Sequence, residues 1–292
     1  MQVKPKNERV GAEEASLKTY RGPELISHYA SLDYLTPCER FLFDIYIKPG
    51  AAILDIGVGG GRTTPQLASK ASHYVGIDNS EEMIDACRHK FPALQFLVAD
   101  ASDLSAFDDA SFDAIVIAFN GLDCLFPDKK RWQCLQECNR LLRKGGVLVF
   151  SSHNPQAIFV RPGWNRERVR SFAKKFVPEH TILFSAAVTG VTVGKAMHSV
   201  LRASWGTAGR ILRKVPTSAF WRGEGYLFDA ADGGWMTHFW TPDRVCEELS
   251  RFGFGLATVL GDDYPKRSGR FVTDWNYYVF SKTGNSASEP CA

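Results

Sequence analysis

Residues 51–62 read AAILDIGVGGGR, and this stretch decides the fold. A near-continuous apolar run suits a strand buried on both faces. The glycines behind it, Gly57, Gly59 and Gly61, suit a sharp turn in which bare backbone comes close to a ligand. Residues 63–71, TTPQLASKA, then open a helix directly behind the turn. A dinucleotide turn, G-x-G-x-x-G, would place a glycine at position 62, where Arg62 stands. A phosphate loop would need Lys-Ser or Lys-Thr after the glycines, and neither follows.

The same rhythm continues outward in both directions. HYVGIDNS (73–80) is a strand ending at Asp78, SEEMIDACRHKF (80–91) a helix capped by Ser80, and LQFLVADASDL (94–104) a third strand. FDAIVIAFNGLDCL (112–125) is a fourth strand, KKRWQCLQECNRLLRKGG (129–146) a helix closed by glycines, and VLVFSSHN (147–154) a fifth strand. Alternating strands and helices with apolar strands predict a parallel sheet covered on both faces. Upstream, apolar positions at helical spacing from Tyr20 to Tyr46, broken near Pro37, predict two helices of the kind that form a lid. Downstream, TPDRVCEELSRFGFG (241–255) is a helix capped by Thr241, and LATVLGD and DWNYYVFSK are two strands with no helix between them. Such a pair should run antiparallel at one edge.

A chain of 292 residues with 45% apolar content can bury one full α/β core and still carry an insertion. The expected divisions are a flexible N-terminus at 1–19, a core at 20–154 and 236–282 with N-terminal lid helices, an inserted substrate cap at 155–235, and a flexible tail at 283–292. No run approaches the roughly 18 apolar residues of a spanning helix, and MQVKPKNERVGAEEA is not a secretory leader, so the expected location is cytoplasmic. Seven scattered cysteines suit a reducing compartment. Cys134 and Cys138 share a helix face, but no second pair completes a metal site, so no metal is expected.

The ends of the strands carry the chemistry, because open α/β sheets bind ligands beyond their carboxyl edge. Asp78 lies 23 positions after Asp55, where a carboxylate can accept hydrogen bonds from both hydroxyls of a ribose. Asp100 and Ala101 close the third strand, placed to offer a carboxylate and a backbone amide to the edge of a base. A glycine cluster alone is more often a plain turn, and a strand-terminal Asp is more often a helix cap. Their ordered occurrence at these separations favours a ligand site.

On these motifs residues 50–150 resemble the cofactor half of class I S-adenosylmethionine-dependent methyltransferases. DIGVGGG matches the first motif, GIDNS the ribose-binding acid, VADASDL the adenine segment and LLRKGGVLVF the lead into the fifth strand. The resemblance implies a Rossmann-like, seven-stranded, mostly parallel sheet with an antiparallel C-terminal edge pair, and S-adenosyl-L-methionine as cofactor. It implies that Asp55 precedes a turn in which Gly57, Gly59 and Gly61 line the methionine side. Asp78 would bind ribose, Asn79 and Met83 would flank the adenine, and Asp100 with Ala101 would read its edge. Phe119 and Asn120 would sit near the sulfonium, and Tyr29 resembles a lid tyrosine of small-molecule methyltransferases. A non-catalytic cofactor-binding protein is the alternative of another class.

Methyl transfer from a sulfonium is an in-line displacement in which positioning supplies much of the rate; a base helps when the nucleophile is an alcohol. His153, after the fifth strand, is the first candidate and His238 the second, with Asp123 and Asp263 also near strand ends or the cap. N-methylation of a small amine or amino sugar would need no base.

Between Glu179 and Glu224 there is no acidic residue, whereas Lys195, Arg202, Arg210, Arg213, Lys214 and Arg222 fall there. A basic cap in a chain of net charge +3 predicts a negatively charged partner, such as a phosphorylated or lipid-linked sugar. The interleaved stretch 190–215 also suits peripheral contact with an anionic membrane. Trp164, Trp205 and Trp221 are candidates for stacking on sugar rings. Nucleic acid is disfavoured: AFNG replaces the Asn/Asp-Pro-Pro-aromatic segment of base-amino methyltransferases. EGYLFDAADGGWMTHFWTP, GFG and YYVFSK resemble methyltransferases of bacterial surface-polysaccharide pathways, which implies O-methylation of a sugar or glycoconjugate hydroxyl.

Overall fold

A computed structural model of the chain describes residues 23–154, 223–229, 235–262, 264–266, 273 and 275–283. Among the described residues two helices come first, α1 (Pro23–Ser31) and α2 (Pro37–Tyr46). Pro37 does break the periodicity, but as the first residue of α2, where its missing N–H costs nothing. Thr36 caps that helix in a reciprocal box with Glu39: the Thr36 hydroxyl accepts from Glu39 N at 3.1 Å and the Glu39 carboxylate accepts from Thr36 N at 2.8 Å.

Then β1 (Ala51–Ile56), α3 (Thr64–Lys70), β2 (Ala71–Asp78), α4 (Glu81–Lys90), β3 (Gln95–Val98) and β4 (Phe112–Ile117) alternate. A 3₁₀ turn at Gly121–Cys124 leads into α5 (Asp128–Leu141) and β5 (Leu142–His153). The later described elements are β6 (Glu224–Asp229), β7 (Trp235–Trp240), α6 (Pro242–Arg251), β8 (Phe254–Gly261) and β9 (Trp275–Lys282). Seven strands form one sheet in the order β3-β2-β1-β4-β5-β9-β8. The first five are parallel, and β9 inserts antiparallel between β5 and β8, as the missing crossover helix required.

Successive residues of a strand face opposite ways, so each buried strand feeds two cores. On β4, Ile115 and Ile117 join one layer under α5 and α6, with Leu135, Leu141 and Leu249. Ala114 and Val116 join the other layer under α2, α3 and α4, with Leu42, Leu67 and Ile84. The strand order reverses between β1 and β4, leaving a crevice at their carboxyl ends.

Three details depart from the sequence reading. The helix expected to reach Gly146 ends at Leu141, because Leu142 is buried and pairs with Phe112 to start β5 early. The extra residues leave as a bulge in which Gly145 takes φ +77°, a left-handed conformation that glycine adopts without strain. Thr241 does stand at the N-cap of α6, but its side chain makes no capping hydrogen bond. Residues 224–229 and 235–240, where no regular element was expected, pair antiparallel as a separate two-stranded sheet. Most of the expected cap, including 190–215, Trp164, Trp205 and Trp221, lies outside the described residues, as do the segments 1–19 and 284–292. Among the described residues no helix is long and apolar enough to cross a membrane.

Candidate active site

The crevice is a cavity of about 360 Å³ walled by the ends of β1 to β4 and roofed by α1. The turn after β1 is held down where its N–H groups at Gly57 and Val58 both donate to Ile77 O, at 2.8 and 3.0 Å. Gly57 has φ +69°, and a Cβ placed on it would meet nothing within 4 Å, so bare backbone faces open space. Asp78 closes β2 and points back at the turn, its Oδ2 accepting from Gly59 N at 2.9 Å and its Oδ1 from Ser80 N at 3.0 Å. Burial pushes the Asp78 carboxyl up, and the backbone donors from Ser80 and Gly59 pull against that shift. A carboxylate has about four acceptor sites, and the backbone donors of Ser80, Gly59 and Asn79 do not use them all, which leaves capacity for a hydroxyl donor of a ligand.

The opposite wall carries Met83, which is 2% exposed, with Asn79 beside it. Ala101 and Asp100 complete that wall. Burial acts to raise the Asp100 carboxyl, but the Ser102 N–H and hydroxyl, at 2.9 and 2.6 Å, and the Lys130 ammonium at 3.2 Å hold it below its ordinary value. Lys130 and the apolar side chains Leu125 and Phe126 also line the cavity and carried no sequence signature.

The roof is seated by Gly60. A Cβ there would stand 2.4 Å from the backbone of Tyr29 and Ala30, so only glycine lets α1 come this close, and Tyr29 is thereby brought into the cavity wall. Arg62 ties roof to floor. Its guanidinium grips Glu39 through two bonds at 2.7 and 2.5 Å, donates to Tyr34 O at 3.0 Å, and lies 4.6 Å from the Phe119 ring centroid. The residue that ruled out a dinucleotide turn is therefore itself a wall of the site.

Phe119 and Asn120 both have left-handed backbones, φ +55° and +62°. For consecutive non-glycine residues this is strained, at about 1–3 kcal/mol each. The Ser151 hydroxyl holds the strain by accepting from Asn120 N at 2.8 Å. Phe119 is thereby turned into the cavity and Asn120 away from it, toward His153.

His153 ends β5 with Nδ1 2.9 Å from Oδ2 of Asp123, which is fully buried, and Nε2 3.2 Å from the Asn120 side-chain nitrogen. His238 sits elsewhere. It lies on β7, 2% exposed, with its ring centroid 4.9 Å from that of Tyr226 and 5.0 Å from that of Trp240. Burial and the nearby Arg131 guanidinium push its imidazole down to about 2, which leaves it neutral.

Two expected cofactor contacts act from behind the wall. Asp55 is 1% exposed and does not line the cavity; its Oδ2 accepts from the Thr63 hydroxyl at 2.7 Å and the Tyr74 hydroxyl at 3.0 Å, bracing the turn. Gly61 faces α4, where a Cβ would press on Phe91 at 2.6 Å. Asp263 lies outside the described residues.

Residues 53–146 match a family model described as a methyltransferase domain. The chain is 36% identical over 120 residues to a demethylmenaquinone methyltransferase of Clavibacter sepedonicus, covering 40% of this chain and 47% of that protein. It thus spans less than half the length of that curated relative. The CcbJ methyltransferase of Streptomyces caelestis superposes with a TM-score of 0.58 at 16% identity, covering 91% of this chain and 98% of that one. The 1,6-didemethyltoxoflavin-N1-methyltransferase of Burkholderia thailandensis, solved with S-adenosylhomocysteine, superposes with a TM-score of 0.56 at 14% identity, covering 97% and 92%. The chain has the fold of class I S-adenosylmethionine-dependent methyltransferases.

Proposed function

We propose that the chain transfers a methyl group from S-adenosylmethionine to a hydroxyl of a small molecule, a sugar or glycoconjugate. The observation that carries the methyl-transfer reading is the crevice at the strand ends, where Asp78 faces bare glycine backbone across a ligand-sized cavity. Asp78 would take the ribose hydroxyls, Met83 and Asn79 the adenine faces, and Asp100 with Ala101 the adenine edge. The backbone of Gly57 and Gly59, with Tyr29 above, would take the methionine end, and the Phe119 ring would exclude water. When bound, the cofactor supplies a methyl carbon on positively charged sulfur, which an acceptor oxygen attacks as the carbon–sulfur electron pair returns to sulfur and the acceptor proton leaves.

His153 supports the hydroxyl reading, because an alcohol must lose its proton as the new bond forms and an imidazole at the active edge can take it. Neither histidine is among the residues that wall the crevice; His238 is not assigned this role because it is buried on β7, whereas His153 stands at the carboxyl end of β5 beside Asn120. The C-terminal run from EGYLFD to YYVFSK supports a sugar acceptor, and the basic segment between Glu179 and Glu224 supports one bearing phosphate. A lipid-soluble ring acceptor is the second reading, favoured by the named substrate of the 36% identical relative.

Methyl-labelled S-adenosylmethionine, incubated with the protein and an extract of its source organism, separates these readings. Lipid and water-soluble fractions are counted before and after acid hydrolysis. Label released as an O-methyl sugar is the expected result. Label retained in an apolar ring compound would replace the sugar acceptor with the second reading.

A further inference from the structure

Behind His153 the side chains form a continuous relay that reaches into the second sheet. Asp123 is 0% exposed, and its two oxygens are fully engaged. Oδ2 accepts from His153 N at 2.8 Å and faces His153 Nδ1 at 2.9 Å, while Oδ1 accepts from the Ser152 hydroxyl at 2.6 Å. The Ser152 oxygen in turn accepts from the Trp240 indole N–H at 2.5 Å. That bond leaves the Ser152 hydrogen only one good direction, toward Asp123. Trp240 is itself immobilised: it is fully buried, with the Arg131 guanidinium 5.0 Å from its ring centroid.

From this geometry we infer that Asp123, seated by Ser152 and Trp240, is the positioning residue that makes His153 a base. The inference rests on the methyltransferase reading given above. A carboxylate only accepts, so a ring nitrogen facing it must carry the hydrogen. Nδ1 therefore holds the proton and Nε2 the lone pair. The Asn120 side-chain nitrogen, 3.2 Å from Nε2, donates to that lone pair, and this bond must be given up when Nε2 takes a proton from an acceptor. Asn120 follows Phe119, which lines the crevice, so the His153 ring stands behind that wall, one residue removed from the cavity. Fixing the tautomer through the second nitrogen is how an imidazole is readied to take a proton.

The relay also gives the two-stranded sheet a task. Trp240 ends β7, which pairs with β6. The two-stranded sheet is thereby joined, through Trp240 and the Ser152 hydroxyl, to the carboxylate that faces His153.

The test needs no acceptor. ¹⁵N-edited NMR of the imidazole nitrogens, in full-length protein saturated with S-adenosylhomocysteine and assigned with His153→Gln, reads the tautomer directly. The expected result is a proton on Nδ1 in the parent and on Nε2 in Asp123→Asn. A parent that carries it on Nε2, or a variant that leaves it on Nδ1, overturns the inference.

A kinetic arm uses the acceptor fraction labelled by the parent. Asp123→Asn should lower the turnover rate about 10²-fold or more, with KM for S-adenosylmethionine within about threefold. Should that variant not fold, Ser152→Ala, which removes one donor to Asp123 and little volume, should slow turnover about tenfold. Loss of thermal stability by Ser152→Ala with turnover unchanged would assign the relay to structure alone and overturn the inference. Failure of the parent to bind S-adenosylhomocysteine would sink the cofactor reading while leaving the tautomer of the unliganded protein to be read by the same spectrum.

Discussion

Asp55 and Asp78 end neighbouring strands and both are named by the sequence pattern, yet one supports the turn while the other faces the cavity. Burial raises Asp55 from 3.8 to about 6 against the Thr63 and Tyr74 hydroxyls and the Arg62 charge, and its Oδ1 has no partner among the described residues. A carboxylate raised in the folded state binds more protons there than in the unfolded chain between those two values. Stability therefore falls as pH rises from 3.8 to 6, by about 3 kcal/mol in all. Asp55→Asn abolishes that dependence. The variant's stability relative to the parent, from urea unfolding at pH 4 and at pH 7.5, should rise by about 2 kcal/mol between the two. An increment that is flat with pH would contradict the assignment. No sequence pattern separates the two aspartates, because the distinction lies in which hydroxyls the fold brings up behind the strand.

Helices and strands followed from periodicity, but the contacts that join them did not. The capping box at Thr36 and Glu39 lies in the sequence as T-x-x-E, and its second use, gripping Arg62, appears only once α2 is laid over the turn. Removing one partner from this buried pair leaves an uncompensated charge, so Glu39→Ala should destabilise by about 3–5 kcal/mol in equilibrium unfolding. The double replacement Glu39→Leu with Arg62→Met should lose less than the single one; an additive loss would show that the charges do not compensate each other. Gly60 is a second joint between elements. Gly60→Ala drives a Cβ into the backbone of α1, at an overpacking cost of about 1–3 kcal/mol. Because α1 carries Tyr29, S-adenosylhomocysteine affinity measured by calorimetry should fall about tenfold or more. Unchanged affinity would mean that α1 is not part of the cofactor site.

Across the whole molecule, two buried groups give pH dependences of opposite sign. His238 is held near 2, below its ordinary 6.5, so the unfolded chain binds its proton first and stability falls as pH drops through 6.5. Asp55 gains stability over much of the same descent, and the two offset each other between pH 4 and 6 at about 1.4 kcal/mol per pH unit each. In Asp55→Asn the His238 dependence should emerge as a steeper loss of thermal midpoint below pH 6.5 than in the parent, and adding His238→Gln should reduce it. A midpoint that stays level in the single variant would remove His238 as the acid-sensitive group.

The parallel sheet and its antiparallel edge pair were legible because each depends on local rhythm: apolar strands, helices between them, and one crossover missing before DWNYYVFSK. Asp78 and the glycine turn were legible because spacing along a βαβ unit fixes where strand ends meet. Arg62, Lys130 and the relay behind His153 were not, since each joins residues from elements far apart in the chain. The two-stranded sheet was missed because EGYLFD and WMTHFW lack the regular alternation of apolar and polar residues that marks a half-buried strand.

Calorimetric titration of S-adenosylhomocysteine into the parent and into Asp78→Ala tests the central claim most directly. Asp78 should contribute charge-assisted hydrogen bonding to the ribose, so the parent should bind and the variant should bind about 10²-fold more weakly or worse. Equal binding by the two proteins, or none by the parent, would contradict the assignment of the crevice as the cofactor site.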